Sequence, residues 1–316
     1  MITHNPLLVI VGPTASGKTA VSLEIAKHYP IEIISGDSAQ FYRGMDIGTA
    51  KVSLAERLQV PHHMIDILNP DDNYSVADFK LRVEQLIKDI QSRNRIPALV
   101  GGTGLYIESV IYDYQFPEVS SNPGIRERWN QFADQEGLDA LHKQVIKRNP
   151  AAVQRIHRND RKRLIRALEI MEITGAPLSS LAEKRNKVSP YTLCMIGLSV
   201  DRSALYQRIE QRVDHMLHAG LIHEVEQLMR SGYNEALYSM QAIGYKEVIQ
   251  YLQGRSSYEQ TVALMKQNSR HVAKRQISWF KTMPQIHWVD VTDATNFHTH
   301  LIQINAIMKA LLPSVR

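Results

Sequence analysis

A single cysteine, Cys194, stands in 316 residues. That scarcity excludes an intrachain disulfide and a zinc finger built from several thiols. No apolar run approaches the roughly 20 residues that cross a bilayer, so no membrane partner is expected. The opening residues lack the basic stretch and long apolar segment of a secretory leader, because the apolar run at 7–11 stops at Gly12. Internal repeats and low-complexity segments are missing too. These absences lead to the expectation of a cytoplasmic protein. What is present is ordinary for a globular chain: 44% hydrophobic and 22% charged residues, enough for one large α/β domain or two smaller ones with real cores. The net charge of +5 is a small excess for this length. It points to an acidic partner only where the cations cluster.

Residues 7–11 form a short apolar run ending in glycine, the pattern of a buried parallel strand. A helix follows with Val21, Ile25 and Ala26 on one face. Strands are expected at 31–35, at 64–68 and at 97–100, with a helix over 77–93. Alternation of this kind implies right-handed crossovers and a parallel sheet with its sites at the carboxyl ends of the strands. From 122 to about 187 the periodicity is helical, then 191–200 reads as a strand returning to the sheet, and helices dominate from 203 onward. The expected fold is therefore α/β: a P-loop NTPase-like parallel sheet flanked by helices, with an α-helical insertion domain. The core spans 1–116 and 190–316, and the insertion spans 117–189.

Gly12-Pro13-Thr14-Ala15-Ser16-Gly17-Lys18-Thr19 matches the G-x-x-x-x-G-K-[ST] phosphate loop without deviation. Its glycines let backbone N–H groups converge on anionic oxygens, and the following helix points its positive dipole end at the same place. Lys18 adds a point charge, and the Thr19 hydroxyl suits a phosphate-bound Mg2+. The pattern specifies a di- or triphosphate ligand without saying which.

Asp37 follows the second strand within Ser35-Gly36-Asp37-Ser38-Ala39-Gln40, at an end that faces the phosphate site in this architecture. A carboxylate there can ligate metal, act as a general base, or cap the next turn. Gly101-Gly102-Thr103-Gly104 brings backbone donors and a hydroxyl to the same edge, or simply makes a tight turn. His62-His63 is not read as a metal site, since neighbours on a strand point to opposite faces.

Arg155, Arg158, Arg161, Lys162, Arg163 and Arg166 crowd twelve residues that hold one acid, Asp160. Leu164, Leu168 and Met171 recur at helical spacing, so one face packs while the arginines project outward. Such a run is either a solvated face or a surface for a phosphate backbone. Arg208, Arg212 and His215 form another helical stripe, and Arg270, Lys274, Arg275 and Lys281 gather on a later helix. A stripe of cations serves a diphosphate, a nucleic acid or solvent equally well.

With these motifs in hand, the chain resembles the bacterial tRNA dimethylallyltransferases (tRNA isopentenyltransferases) over essentially its whole length. The matching stretches are GPTASGKT, SGDSAQFYRGMDIGTAK, VPHHMIDI, LVGGTGLY, HRNDRKRLIRALEI, QRIEQRVDHML, QAIGYKE and AKRQISWF. The resemblance implies transfer of a dimethylallyl group from dimethylallyl diphosphate to N6 of the adenosine beside the anticodon. It implies that the phosphate loop, Gly12 to Thr19, holds the prenyl diphosphate. Asp37 would accept the N6 proton, and Thr103 would help hold the adenine. Lys18, Thr19 with Mg2+, and Arg212 would neutralise the departing diphosphate. Asp37, Ser38, Ala39, Gln40, Thr103, Arg126, Arg161, Lys162, Arg163, Leu164, Ile165, Gln241, Ala242, Ile243, Gly244, Tyr245 and Lys246 would touch tRNA. The expected state is a monomer. The zinc finger carried at the C-terminus of eukaryotic relatives is not expected in a chain with one cysteine.

The chemistry suits these residues. An exocyclic amine is a poor nucleophile, so a nearby base helps, and the main task is stabilising diphosphate as it leaves. The target base must also leave its stack. Three rivals share the phosphate loop: a small-molecule kinase using ATP, a prenyltransferase acting on free adenine nucleotides, and a nucleic-acid-remodelling NTPase. The helical insertion and its basic run favour tRNA over a mononucleotide. A remodelling NTPase predicts RNA-stimulated phosphate release with no mass gain on the RNA.

Overall fold

The computed structural model describes residues 5–114, 116, 121–151, 156–176 and 188–312. The chain divides into two compact units, Met1–Asp113 with Val188–Arg316, and Tyr114–Lys187. The first unit opens with β1 (Pro6–Val11), α1 (Lys18–Ala26), β2 (Ile31–Ser35), α2 (Leu54–Gln59), β3 (His62–His63), α3 (Val76–Ser92), β4 (Ile96–Gly101) and α4 (Gly104–Ile111). The second unit contributes α5 (Pro123–Arg148) and α6 (Arg161–Thr174). The first unit resumes with β5 (Thr192–Ser199), α7 (Arg202–His218), α8 (Leu221–Arg230), α9 (Tyr245–Leu252), α10 (Tyr258–Phe280), β6 (His287–Asp290) and α11 (Phe297–Leu311).

The six strands form one sheet in the order β3-β2-β4-β1-β5-β6, every pair parallel. β1 lies at its heart, with Val9 opposite Leu99 on one side and Met195 on the other. Leu7 to Val11 are completely buried, because helices cover both faces and an alternating pattern would put polar groups into the core. One face packs Leu8, Ile10, Ile33, Ala98 and Ile196 against Val21 and Ile25 of α1 and Ile304 and Met308 of α11. Cys194 belongs to this layer as a core residue, and burial pushes its thiol up to about 12. A second core joins Tyr42 and Met45 to α7, α8, α9 and α10 through Val213, Val225, Tyr245, Val248 and Met265. Capping boxes at Ser75 and Ser257 start α3 and α10 by satisfying amides that the first helical turn leaves unpaired.

Two expectations for the sheet are corrected. The strand placed at 64–68 is instead His62–His63, paired with Ile33 and Ile34 of β2. Met64 and Asp66 have positive φ, which ends the extended run, and the amides of Ile67 and Leu68 turn back to donate to the Phe41 carbonyl. β6 was not anticipated at all. It is a four-residue edge strand in which only Val289 is buried, so it has no hydrophobic period to read.

In the helical unit, α5 is broken at Gly137, whose φ is 84°. Trp129, Ala133, Leu141 and Val145 of α5 pack on Leu164, Ile165, Leu168 and Met171 of α6. Arg155 and residues 177–187 lie outside the described residues. No helix among the described residues is long and apolar enough to cross a membrane.

Candidate active site

β1 delivers the chain to Gly12, and α1 leaves the loop at Lys18 behind Gly17 in a left-handed conformation with no side-chain cap. The first-turn amides of α1 have no intrahelical acceptor, so they point into the loop as donors. Lys18 Nζ reaches back to donate to the carbonyls of Gly12 (3.0 Å) and Pro13 (2.8 Å). The loop is closed by the Ser16 amide on the Pro13 carbonyl and by the Thr14 amide on Gln276 Oε1 (2.8 Å). Ser16 Oγ is buried at the loop without a hydrogen-bond partner among the described residues. Burial is the main influence on Lys18 and brings its ammonium down to about 8, with Asp37 opposing the shift and Arg212 adding to it.

The second wall is made by the ends of β2 and β4. Gly36 donates to the Val100 carbonyl, and Thr103 donates from its amide to Gly36 O. The two turns lie so close that a Cβ on Gly101 would stand 2.4 Å from the Gly36 carbonyl carbon. This contact brings Thr103 beside the DSAQ segment, where Thr103 Oγ1 accepts from the Ser38 amide at 3.5 Å. Asp37 does cap the turn Ser38–Phe41, accepting from the Ala39 amide through Oδ1 at 3.1 Å. Its Oδ2 has no hydrogen-bond partner among the described residues, so the capping role leaves one oxygen for other work. Gln40 is held by Ser35 Oγ and by the Ala50 carbonyl.

α7 brings the third component. Arg212 is half-buried, donates to the Thr49 carbonyl at 3.3 Å and lies in the field of Asp37. Burial presses its guanidinium below the usual arginine range, and Asp37 offsets part of that. Arg208, one turn earlier, is spent on the carbonyls of Val291 and Thr292, while His215 is exposed. The expected stripe thus splits into a structural tie, a site cation and a surface residue. The segment that supports Arg212 is itself pinned by Glu224, whose carboxylate accepts from the amides of Asp46, Ile47 and Gly48 and from the Tyr245 hydroxyl at 2.6 Å.

Asp37, Thr103, Lys18, Thr19 and Arg212 all belong to the first unit, on elements that converge at the carboxyl edge of the sheet. In that unit Gln241 is exposed, and Ala242, Ile243 and Lys246 are partly so. In the helical unit Arg126 donates to Glu169 at 2.9 Å. Arg161 reaches Asn130 and Asp134, Arg163 pairs with Asp160, and Lys162 is exposed with no acidic partner among the described residues. The arginines therefore do not simply project outward. The side chains of Leu164, Ile165 and Tyr245 are buried and pack the helices that carry their neighbours. Gly244 is buried as well, at φ 96°. His62 bonds the Val60 carbonyl and His63 pairs with Glu32, at the edge strand β3. Gln276 and Glu224 escaped the sequence reading because Gln276 meets Thr14, and Glu224 the amides of Asp46 to Gly48, across more than a hundred positions of chain.

A phosphate cradle at the end of the central strand, two cations behind it and a half-free carboxylate facing them define a P-loop protein of the α/β class. The IPP transferase family model matches residues 40–283, and the chain belongs to that family. It is 50% identical over 285 residues to the tRNA dimethylallyltransferase of Carboxydothermus hydrogenoformans, covering 90% of this chain and 91% of the relative. It is 46% identical over 290 residues to that of Bacillus subtilis strain 168, covering 92% of each. The crystal structure of the full-length tRNA isopentenylpyrophosphate transferase from Bacillus halodurans superposes with a TM-score of 0.74 at 43% identity, over 98% of this chain and 97% of that one. A eukaryotic dimethylallyltransferase acting on tRNA gives a TM-score of 0.79 at 27% identity, over 96% of this chain and 78% of that one.

Proposed function

We propose that this chain is a tRNA dimethylallyltransferase, which moves a dimethylallyl group from dimethylallyl diphosphate to N6 of the adenosine beside the anticodon, position 37 of the tRNA. The observation that carries this reading is the placement of the Asp37 carboxylate within the field of both Lys18 and Arg212. A base stands on one side of a reacting carbon and a diphosphate grip on the other. The C–O bond to diphosphate breaks and its electron pair leaves with the diphosphate. The N6 lone pair forms the new C–N bond, and the N6 proton passes to Asp37 Oδ2. Lys18, Arg212 and the amides of the loop meet the charge that develops on the leaving oxygen.

Thr103, tied to Ser38, sets the adenine against Asp37. Mg2+ fits as a companion of the diphosphate. Among the described residues no group of three His, Cys, Asp or Glu forms a metal cage, whereas Thr19 brings a hydroxyl to the first turn of α1 at the loop. A hydroxyl plus substrate oxygens is the usual way this ion is held on a phosphate loop, where it supplies charge neutralisation. Asp37 to Gln40, Arg126, Arg161 to Arg163 and Gln241 to Lys246 supply the RNA surface, with Lys162 the least encumbered cation. The enzyme acts in the cytoplasm as a monomer. The direct test incubates the protein and unmodified tRNA with radiolabelled dimethylallyl diphosphate or with radiolabelled ATP. Label entering tRNA from the prenyl donor alone supports the reading. Phosphoryl transfer from ATP, or prenylation of free AMP in preference to tRNA, overturns it.

A further inference from the structure

Gln276 of α10 lies within AKRQISWF, a stretch whose role the chemistry above leaves open. Its Oε1 accepts from the Thr14 amide at 2.8 Å, in the middle of the phosphate loop. The opposite side of the same amide group rests on the β4–α4 turn, where a Cβ on Gly102 would stand only 2.3 Å from Gln276 Nε2. One turn further along α10, Trp279 packs on Gly104 in the same manner, and Ala273 one turn earlier is fully buried. This face of α10 therefore lies along the carboxyl ends of β1 and β4, and Gln276 bridges the two.

Packing alone does not call for a glutamine here. Ala273 and Phe280, both fully buried, already seat the helix. A half-buried amide costs rotamer entropy and desolvation, and it recovers them by fixing a loop amide that is otherwise unpaired. A loop fixed before the anion arrives spends less binding energy on ordering itself. Gly102 precedes Thr103, so the same contact sets the spacing between the leaving-group cradle and the acceptor side of the site.

We infer that Gln276 is a positioning residue that latches the phosphate loop to the Gly101–Thr103 turn and holds the donor diphosphate at a fixed distance from the acceptor base. The inference rests on the prenyl-transfer reading for its substrate, while its main readout does not. Gln276→Met keeps the length and packing of the side chain and removes the acceptor. It is expected to weaken binding of inorganic pyrophosphate with Mg2+ by about five- to tenfold in calorimetry. The KM for dimethylallyl diphosphate should rise by the same factor, with the KM for tRNA and the melting temperature close to wild type. Gly102→Ala tests the bridge from the other side. Its Cβ displaces the flexible end of Gln276 before it displaces backbone, so it should reproduce the Gln276→Met defect. Combining the two should add less than twofold to either alone. Pyrophosphate affinity within twofold of wild type in Gln276→Met, or losses that multiply in the double variant, would overturn the latch. Wild-type protein that binds pyrophosphate yet leaves tRNA unmodified would sink the prenyl-transfer reading instead.

Discussion

Two clusters of cations in this molecule look alike in sequence and are treated oppositely by the fold. In the phosphate loop, Lys18 is bonded to two carbonyls of its own loop and Arg212 to the carbonyl of Thr49. Among the described residues neither is hydrogen-bonded to a carboxylate, and Asp37, which lies in the field of both, keeps an oxygen to spare. In the helical unit the arginines are matched to acids: Arg161 to Asp134, Arg163 to Asp160, and Arg126 and Arg166 to Glu169. Glu169 is completely buried, and burial alone would raise its pKa. Arg166, the Asn122 amide and Arg126 outweigh that and hold it below the usual carboxylate range. A cation bonded to carbonyls retains its full charge for an arriving anion, whereas one bonded to a carboxylate must break an ion pair first. Density of arginine is thus a poor guide to ligand binding, and the partner of each arginine is a better one.

The contrast can be attacked at several points. Asp37→Ala removes the base and should lower kcat by about 10²- to 10⁴-fold, with tRNA affinity nearly unchanged in a filter-binding titration. Intact turnover would remove Asp37 from the mechanism. Glu169→Ala strips the acid from under Arg126 and Arg166, and should destabilise the helical unit by roughly 3 kcal/mol, read as an early phase in urea denaturation of the whole chain. Retention of one wild-type transition would show that this ion cluster contributes little. The pH dependence follows from Lys18, whose pKa is lowered from 10.5 to about 8. Between those values the unfolded chain keeps a proton that the native protein has released, so stability without ligand rises with pH across that window. Anion binding runs the other way, and pyrophosphate affinity should fall by up to about tenfold per pH unit above 8. A Lys18→Met variant should bind weakly and without that slope. The smallest effects belong to the helical unit. Lys162→Ala should flatten the salt dependence of tRNA binding by roughly 0.7–0.9 in log–log slope. Arg161→Ala should flatten it by less, because Asp134 already claims that charge. A double Arg161→Ala, Arg163→Ala variant with an unchanged slope would mark those two arginines as a solvated face.

What the sequence makes legible follows the distance over which each feature is built. The phosphate loop is contiguous, so its spacing alone specifies Lys18 and Thr19 at the head of α1. The meeting of Thr103 with Gly36 and Ser38, on either side of Asp37, is legible one step less directly, because it needs only that two parallel strands end side by side, as β2 and β4 do. The supports are not legible. Gln276 comes to Thr14 from 262 positions away, and Glu224 comes to Ile47 from 177. No local period encodes such contacts. The arginine run is legible in part: Asp160 and Glu169 lie three positions from Arg163 and Arg166, whereas Asp134 reaches Arg161 from the facing helix. In β3 the aliphatic appearance of 64–68 outweighed the backbone, which turns at Met64 and Asp66.

The central claim is that the loop from Gly12 to Thr19 binds the leaving group of an alkylation while Asp37 stands at the acceptor nitrogen. Intact-mass analysis of unmodified tRNA, after incubation with the wild-type protein, dimethylallyl diphosphate and Mg2+, tests it most directly. The account predicts a gain of one dimethylallyl group per tRNA, mapped by nuclease digestion to the adenosine beside the anticodon and lost in Asp37→Ala. An unchanged tRNA mass with the wild-type protein, or a modification that persists without Asp37, would contradict it.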